Sequence, residues 1–250
     1  MYINNVHILG YVIIAFIGGF VGHFLNWAIF RLSDEKQVLT KDYFQDRKLI
    51  KNNYFLMAIM GIIYIVLLYV FGFEFSIEKN INLLKFMVLA PMLVCAFVID
   101  YKLQIIPNRL NLTMFEVGLA FTFLSGILTN YNVAINMLLG CLAGGGIFLL
   151  ITLLGGLIAG KEAMGFGDVK LMGAMGLYFG WMGIVAVSVI AFLIGAIISI
   201  FLLITRIRKT NEYIPFGPFI VLAAFIVILV PFNILLHTLL TIFTFGLFRG

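Results

Sequence analysis

Charge is what this sequence lacks. Only 11% of its 250 residues are Asp, Glu, Lys or Arg, against about a quarter in an ordinary soluble domain. That deficit excludes a soluble globular chain. Long polar stretches are missing as well: the longest runs over about 31–53, which leaves no room for a large soluble domain. Cysteine is nearly absent. Cys95 and Cys141 sit inside apolar runs without CxxC spacing, which excludes a disulfide framework and a cysteine zinc site. No basic residue precedes the first apolar run, at about 6–32, and that run is too long for a signal peptide, so it reads as a retained span. No internal repeat is found either, which counts against a transporter assembled from two similar halves.

What the chain does have is hydrophobic length. Hydrophobic residues make up 63% of it, including 26 phenylalanines. Several runs approach or exceed the ~20 residues that a helix needs to cross a bilayer. Candidate spans are 6–31, 54–72, 82–99, 111–129 and 133–159, then a long stretch at 171–205 and a last one at 216–248, interrupted at Pro231, Phe232 and Asn233. The fold class is therefore all-α: a polytopic membrane protein with about eight transmembrane helices, six to nine in range. Pairs of glycines four apart, at Gly18/Gly22, Gly140/Gly144, Gly156/Gly160 and Gly176/Gly180, suit close packing of such helices.

The net charge of +5 is explained by loops facing the cytoplasm, and no nucleic-acid partner is implied. Basic residues concentrate in alternate loops: six in 31–53, Lys102 and Arg109 in 100–110, Lys161 and Lys170 in 160–170, and Arg206, Arg208 and Lys209 in 206–213. Positive-inside reasoning puts these four loops in the cytoplasm and the N-terminus outside. Parity then requires 171–205 to cross twice, with one short limb and a turn near Tyr178, Phe179, Gly180 and Trp181. The stretch 216–248 crosses once or twice.

Of eleven acidic residues, eight fall in loops, where a solvated position explains them. Asp100, Glu116 and Asp168 lie at or within apolar segments. Asp100 ends the third span and Asp168 opens the sixth, so a topology built from Lys and Arg alone brings both to the cytoplasmic boundary. Either one alone reads as a boundary residue or a helix cap. Two together in a poorly hydrated site cannot both ionise, so the pair holds one proton. One carboxylate then activates a water while its protonated partner polarises a peptide carbonyl, with no fixed role for either. Gly165 and Gly167 leave room beside Asp168 for another backbone, or form a plain turn. Ile106, Pro107 and Asn108 turn the chain after Asp100. Lys170 either snorkels to the interface or tunes the pair.

Four stretches resemble one family, the type IV prepilin peptidases, which are membrane aspartic proteases of the GxGD type. AMGFGDVKLM at 163–172 is similar to its second catalytic motif and DYKLQIIPNRL at 100–110 to its first. GHFLNWAIFRL at 22–32 is similar to its GSFLNVVIYRLP stretch, and IPFGPF at 214–219 to its late PFGPF motif. The resemblance implies Asp100 and Asp168 as catalytic residues, with Pro107, Asn108, Gly165, Gly167, Lys170, Asn26, Pro215 and Gly217 shaping the site or binding substrate. Asn26 alternatively bonds between helices.

The resemblance also implies an activity. Short basic leaders are cut from type IV prepilins or pseudopilins after a glycine, at the cytoplasmic face of the inner membrane, and the products serve pili, type II secretion or DNA uptake. In domain terms it implies a first transmembrane helix at 1–32, a short cytoplasmic loop at 33–53 and a membrane-embedded peptidase domain over 54–250. Many bacterial members carry two CxxC pairs in that loop and also N-methylate the product. Here the loop has no cysteine, so zinc is not expected and proteolysis implies no cofactor; S-adenosylmethionine is implied only if methyl transfer is retained. His23 and Ser33 also depart from the family's usual serine and proline. The competing reading is an ion- or proton-coupled transporter using Asp100, Glu116 and Asp168 as a relay, which would favour acidic residues near the bilayer midplane.

Overall fold

A computed structural model describes residues 2–4, 6–34, 36, 38, 53–73, 77–159, 164–205 and 214–244. Within these, a short antiparallel hairpin of β1 (Tyr2–Ile3) and β2 (Val6–His7) leads into helices α1 (Ile8–Ser33) and α2 (Tyr54–Phe71). Then follow α3 (Ile77–Leu103), α4 (Asn108–Leu128), α5 (Tyr131–Ala159), α6 (Phe166–Ile204), α7 (Gly217–Leu229) and α8 (Phe232–Phe243). The protein is all-α and polytopic: α1 to α6 are long and apolar enough to cross a membrane, by length and composition. Large apolar side chains such as Phe16, Phe20, Ile127 and Leu157 are exposed, the arrangement of a surface made for lipid rather than water. Most of the 33–53 loop, Gly160, Lys161, Glu162 and the basic residues of 206–213 lie outside the described residues.

The ends of these helices follow the sequence's polar punctuation. Asn53 accepts a hydrogen bond from the Leu56 N–H at 3.4 Å and caps α2. Pro107 stands at the start of α4 and Pro231 at the start of α8, where the fixed proline φ suits a helix about to begin. The hairpin ahead of α1 has no counterpart in the sequence reading. It is tied to the far end of α2 by Asn4, whose side chain donates to the Tyr69 carbonyl at 2.9 Å.

A straight α6 of 39 residues would be ~58 Å long, about twice the hydrocarbon core. It is not straight. Gly180 takes φ 67° and ψ 177°, a conformation that is essentially glycine's alone. The chain folds back on itself there, as α5 reports: a Cβ on Gly144 would meet both the Met172 carbonyl and Ile184, residues that a straight helix holds ~18 Å apart. Four residues earlier, Gly140 lies against Gly176 and Gly180. Advancing along α5 thus runs backward along limb 166–179 and forward along limb 181–204. The turn expected at 178–181 is a single glycine, and the first limb, ~21 Å long, is the short one. Asn136 on α5 secures the fold-back by accepting the Trp181 N–H at 3.2 Å.

Small residues set the closest packing. Gly18 and Gly22 let α1 lie on the backbone of α2 at Met60 and Leu56, where a Cβ on either would sit 2.6 Å from a carbonyl oxygen. Gly140 and Gly176 do the same for α5 against the first limb of α6. The densest burial is where α3, the first limb of α6 and α7 meet, with Leu89, Leu93, Ile99, Met172, Met175 and Ile220 wholly enclosed. Tyr178 joins that core to α4 by donating to the Met114 carbonyl at 2.8 Å. At one end of this core, helix termini converge.

Candidate active site

Four of those termini bring the site together. Asp100 stands in the last turn of α3. Gln104 then takes a left-handed φ of 57°, its N–H donates to the Asp100 carbonyl at 2.9 Å, and α3 ends. Residues 105–107 carry the chain across to α4. Asp168 stands in the first turn of α6, its N–H bonded to the Gly165 carbonyl at 3.1 Å. Gly165, not Asp168, occupies the capping position, so the aspartate side chain is not a helix cap. Both aspartates are 4% exposed. Both line one cavity of about 360 Å³ with Gln104, Pro107, Asn108, Gly165, Phe166, Gly167 and Lys170, and Asp100 bears electrostatically on Asp168.

Each carboxyl is held differently. The Gly217 N–H, at the first position of α7, donates to Asp100 Oδ2 at 2.9 Å. A helix N-terminus carries unpaired N–H groups and a partial positive charge, so this is a natural seat for a carboxylate. The approach is tight: a Cβ on Gly217 would lie 2.5 Å from that oxygen. Asp168 is held through its own helix. Asn111 on α4 donates to the Gly167 carbonyl at 3.3 Å, and Ile106 packs on Gly167, its Cβ 3.3 Å from where a Cβ of that residue would stand.

The residues singled out in the sequence fall into two groups. Asp100, Pro107, Asn108, Gly165, Gly167, Asp168 and Lys170 come together around the cavity. Gly217 joins through its bond to Asp100, and the buried Pro215 leads into that turn. Asn26, half-buried on α1, does not line the cavity, and neither does Glu116, which is exposed on α4. The acidic relay considered for a transporter is therefore not assembled in this cavity. Lys170 contacts neither aspartate: its ammonium donates to Asn108 Oδ1 at 2.7 Å and lies 5.3 Å from the centre of the Phe166 ring. Gly165 and Gly167 take ordinary dihedrals, since only Gly72 and Gly180 among the described glycines have positive φ. The backbone that approaches Gly167 is the chain's own, at Ile106. Sequence reasoning missed Gln104 and Asn111. Asn111 carried a signal, a second asparagine one turn into an apolar span; Gln104 carried none. Among the described residues no three His, Cys, Asp or Glu side chains gather as a metal site requires.

Two buried aspartates thus share one cavity inside a polytopic helical protein, and comparison with known proteins shows what that part of the chain is similar to. Residues 87–200, which include both aspartates, match the type IV leader peptidase family. Similar proteins include the "Prepilin leader peptidase/N-methyltransferase" of Aeromonas hydrophila, 33% identical over 55% of this chain and 46% of that one. The protein of the same name from Escherichia coli is 33% identical over 52% of this chain and 55% of its own. That from Pseudomonas aeruginosa is 30% identical over 52% and 44%. The chain thus spans about half the length of the curated relatives it matches. No solved structure matches it.

Proposed function

We propose that this chain is a membrane-embedded aspartic endopeptidase that removes the short basic leader of a type IV prepilin or pseudopilin, cutting after a glycine at the cytoplasmic face of the inner membrane. The observation that carries this reading is the shared cavity of Asp100 and Asp168. The family match over both residues and the curated relatives' name support it. The peptidase unit comprises 54–250, with α1 packed on it through Gly18 and Gly22.

The chemistry follows from the pair. Held close and out of bulk water, the two carboxyls carry one proton between them. The ionised one takes a proton from a water as its oxygen attacks the scissile carbonyl carbon, and the protonated one donates to the carbonyl oxygen. Collapse of the tetrahedral intermediate breaks the C–N bond: the protonated carboxyl gives its proton to the leaving amine, the other carboxylate takes one from the gem-diol hydroxyl as the carbonyl re-forms, and the pair again holds one. Hydrolysis needs no cofactor, and the methyltransferase half of the relatives' name stays with those proteins. The basic loops at 100–110 and 160–170 support a cytoplasmic site and an N-terminus outside, so the cavity meets a substrate helix where its leader leaves the bilayer.

Asp100→Asn and Asp168→Asn each abolish cleavage of a co-expressed pilin-like precursor while the protein still inserts in the membrane. Full-rate processing by either variant refutes the assignment. Oxidative cross-linking of Asp100→Cys to Asp168→Cys, with Cys95 and Cys141 replaced by serine, is expected under this reading and required by neither a transporter nor a scaffold.

A further inference from the structure

A separate cavity of about 570 Å³ lies between α1, α3 and α4 and shares no residue with the dyad cavity. α1 lines it from Val21 to Leu32, α3 supplies Val88, and Arg109 and Thr113 stand on α4. These residues fix how the space lies in the bilayer. Leu32 is next to the last residue of α1 and Arg109 next to the first of α4, so one end of the space is at the membrane boundary. Val21 stands ~18 Å from that end of α1. The space therefore runs ~17 Å along α1, close to the ~15 Å of hydrocarbon in one leaflet. Over that length its volume gives a mean cross-section of about 35 Å², whereas a helix ~10 Å across needs about 80 Å². It is long and narrow, the shape of one extended chain and not of a helix.

The wall suits an apolar occupant. Its two hydroxyls are spent, Tyr64 donating to the Met87 carbonyl at 2.8 Å and Thr113 to the Arg109 carbonyl at 2.9 Å. Phe24 and Thr113 are exposed, so the space opens on the surface that faces lipid. The boundary end suits an anion. Arg109 is exposed, and its guanidinium meets no acceptor among the described residues, where the one ion pair joins Lys36 to Asp34. Lys102 adds a second cation in the last turn of α3, while Glu116, two turns deeper than Arg109, does not line the space. An arginine fork pairs with phosphate oxygens through two charge-assisted hydrogen bonds. We infer that this space holds one acyl chain of an anionic phospholipid, with the lipid phosphate on Arg109. The lipid is then a wedge between α1 and α4, two helices that both pack on α3. Binding there does not depend on the peptidase reading.

The test places the full chain in phosphatidylcholine vesicles with a trace of one of two photoprobes. These are phosphatidylglycerol and phosphatidylcholine, each with a diazirine midway along one acyl chain. On irradiation the phosphatidylglycerol probe attaches to 21–32 or 88–95 at least about fivefold more than the phosphatidylcholine probe, the scale of one basic residue's attraction for anionic lipid. Arg109→Gln brings that ratio close to one, while Lys102→Gln, at a cation that does not line the space, leaves it within about twofold of wild type. Thr113→Trp, which fills the mouth from an exposed position, lowers attachment of both probes there. A wild-type ratio near one, a ratio unmoved by Arg109→Gln, or attachment undiminished in Thr113→Trp overturns the inference. Attachment to the same residues by a pilin-like precursor with a benzophenone midway along its apolar helix also overturns it, because the space then seats a helix. Competition separates lipid from free phosphate: excess unlabelled phosphatidylglycerol abolishes the labelling, and displacement by inorganic phosphate overturns the lipid assignment.

Discussion

Replacing Gly217 with alanine adds a single methyl group, and the structure says where it goes. The new Cβ would stand 2.5 Å from Asp100 Oδ2 and 3.0 Å from its Cγ. Ordinary carbon–oxygen contact needs close to an ångström more than the shorter of these. Gly217 does not use a positive φ, so its backbone accepts alanine, and alanine is the better helix residue. The strain therefore falls on the end of the aspartate side chain, which rotates away and loses the 2.9 Å bond from the Gly217 N–H. The fold survives and the dyad geometry does not. If Asp100 acts as proposed, a displacement of about 1 Å costs on the order of 10²-fold in rate, equivalent to about 2.7 kcal/mol of transition-state stabilisation. The assay is kcat/KM for a pilin-like precursor in detergent micelles, beside a thermal melt. Gly146→Ala serves as control, since a Cβ there meets nothing within 4 Å. A Gly217→Ala enzyme that melts like wild type and cleaves within threefold of its rate would refute the claim that α7 orients Asp100.

Other outcomes follow from the same contacts. Asn111→Leu removes the hold on the Gly167 carbonyl and lowers kcat/KM about fivefold, the worth of one such hydrogen bond, with the melt little changed. Gly180→Ala puts a Cβ into a conformation reserved for glycine and against Asn136, and destabilises the protein by about 1–3 kcal/mol, read as a lower melting temperature. Gly176→Leu drives a side chain into the α5 backbone at Gly140; no monodisperse folded protein should be recovered in detergent, and normal recovery would contradict the close crossing.

Much of this was legible in the sequence because lipid simplifies the reading. Every span must satisfy its backbone internally, so apolar length alone outlined the helices, and the parity of the basic loops demanded a turn that Gly180 supplies. The two aspartates stood out because a carboxylate at the edge of an apolar run is costly to keep. What stayed hidden was how each is held. The bond from Gly217 to Asp100 spans 117 positions of sequence, and no local pattern encodes a pairing that only the packing of α7 on α3 creates. Gln104 looked like any loop polar residue, because a left-handed φ at a helix end leaves no compositional mark outside glycine and asparagine. Gly165 and Gly167 invited a reading of unusual backbone, yet neither has a positive φ, and the small size of Gly167 serves the packing of Ile106 instead.

The order in which the chain is made gives the Gly217 bond another meaning. As the protein threads into the bilayer from its N-terminus, α3 and then α6 deliver both aspartates long before α7 exists. During that interval Asp100 lacks the N–H that orients it, and the nascent chain holds two carboxyls without an aligned pair. The segment 87–200 ends before Gly217, so a fragment trimmed to it would be arrested at the same stage. On the peptidase reading, the bond that orients Asp100 forms only after α7 has been made and packed on α3, so alignment of the pair follows, and does not precede, the insertion of the helices that carry it.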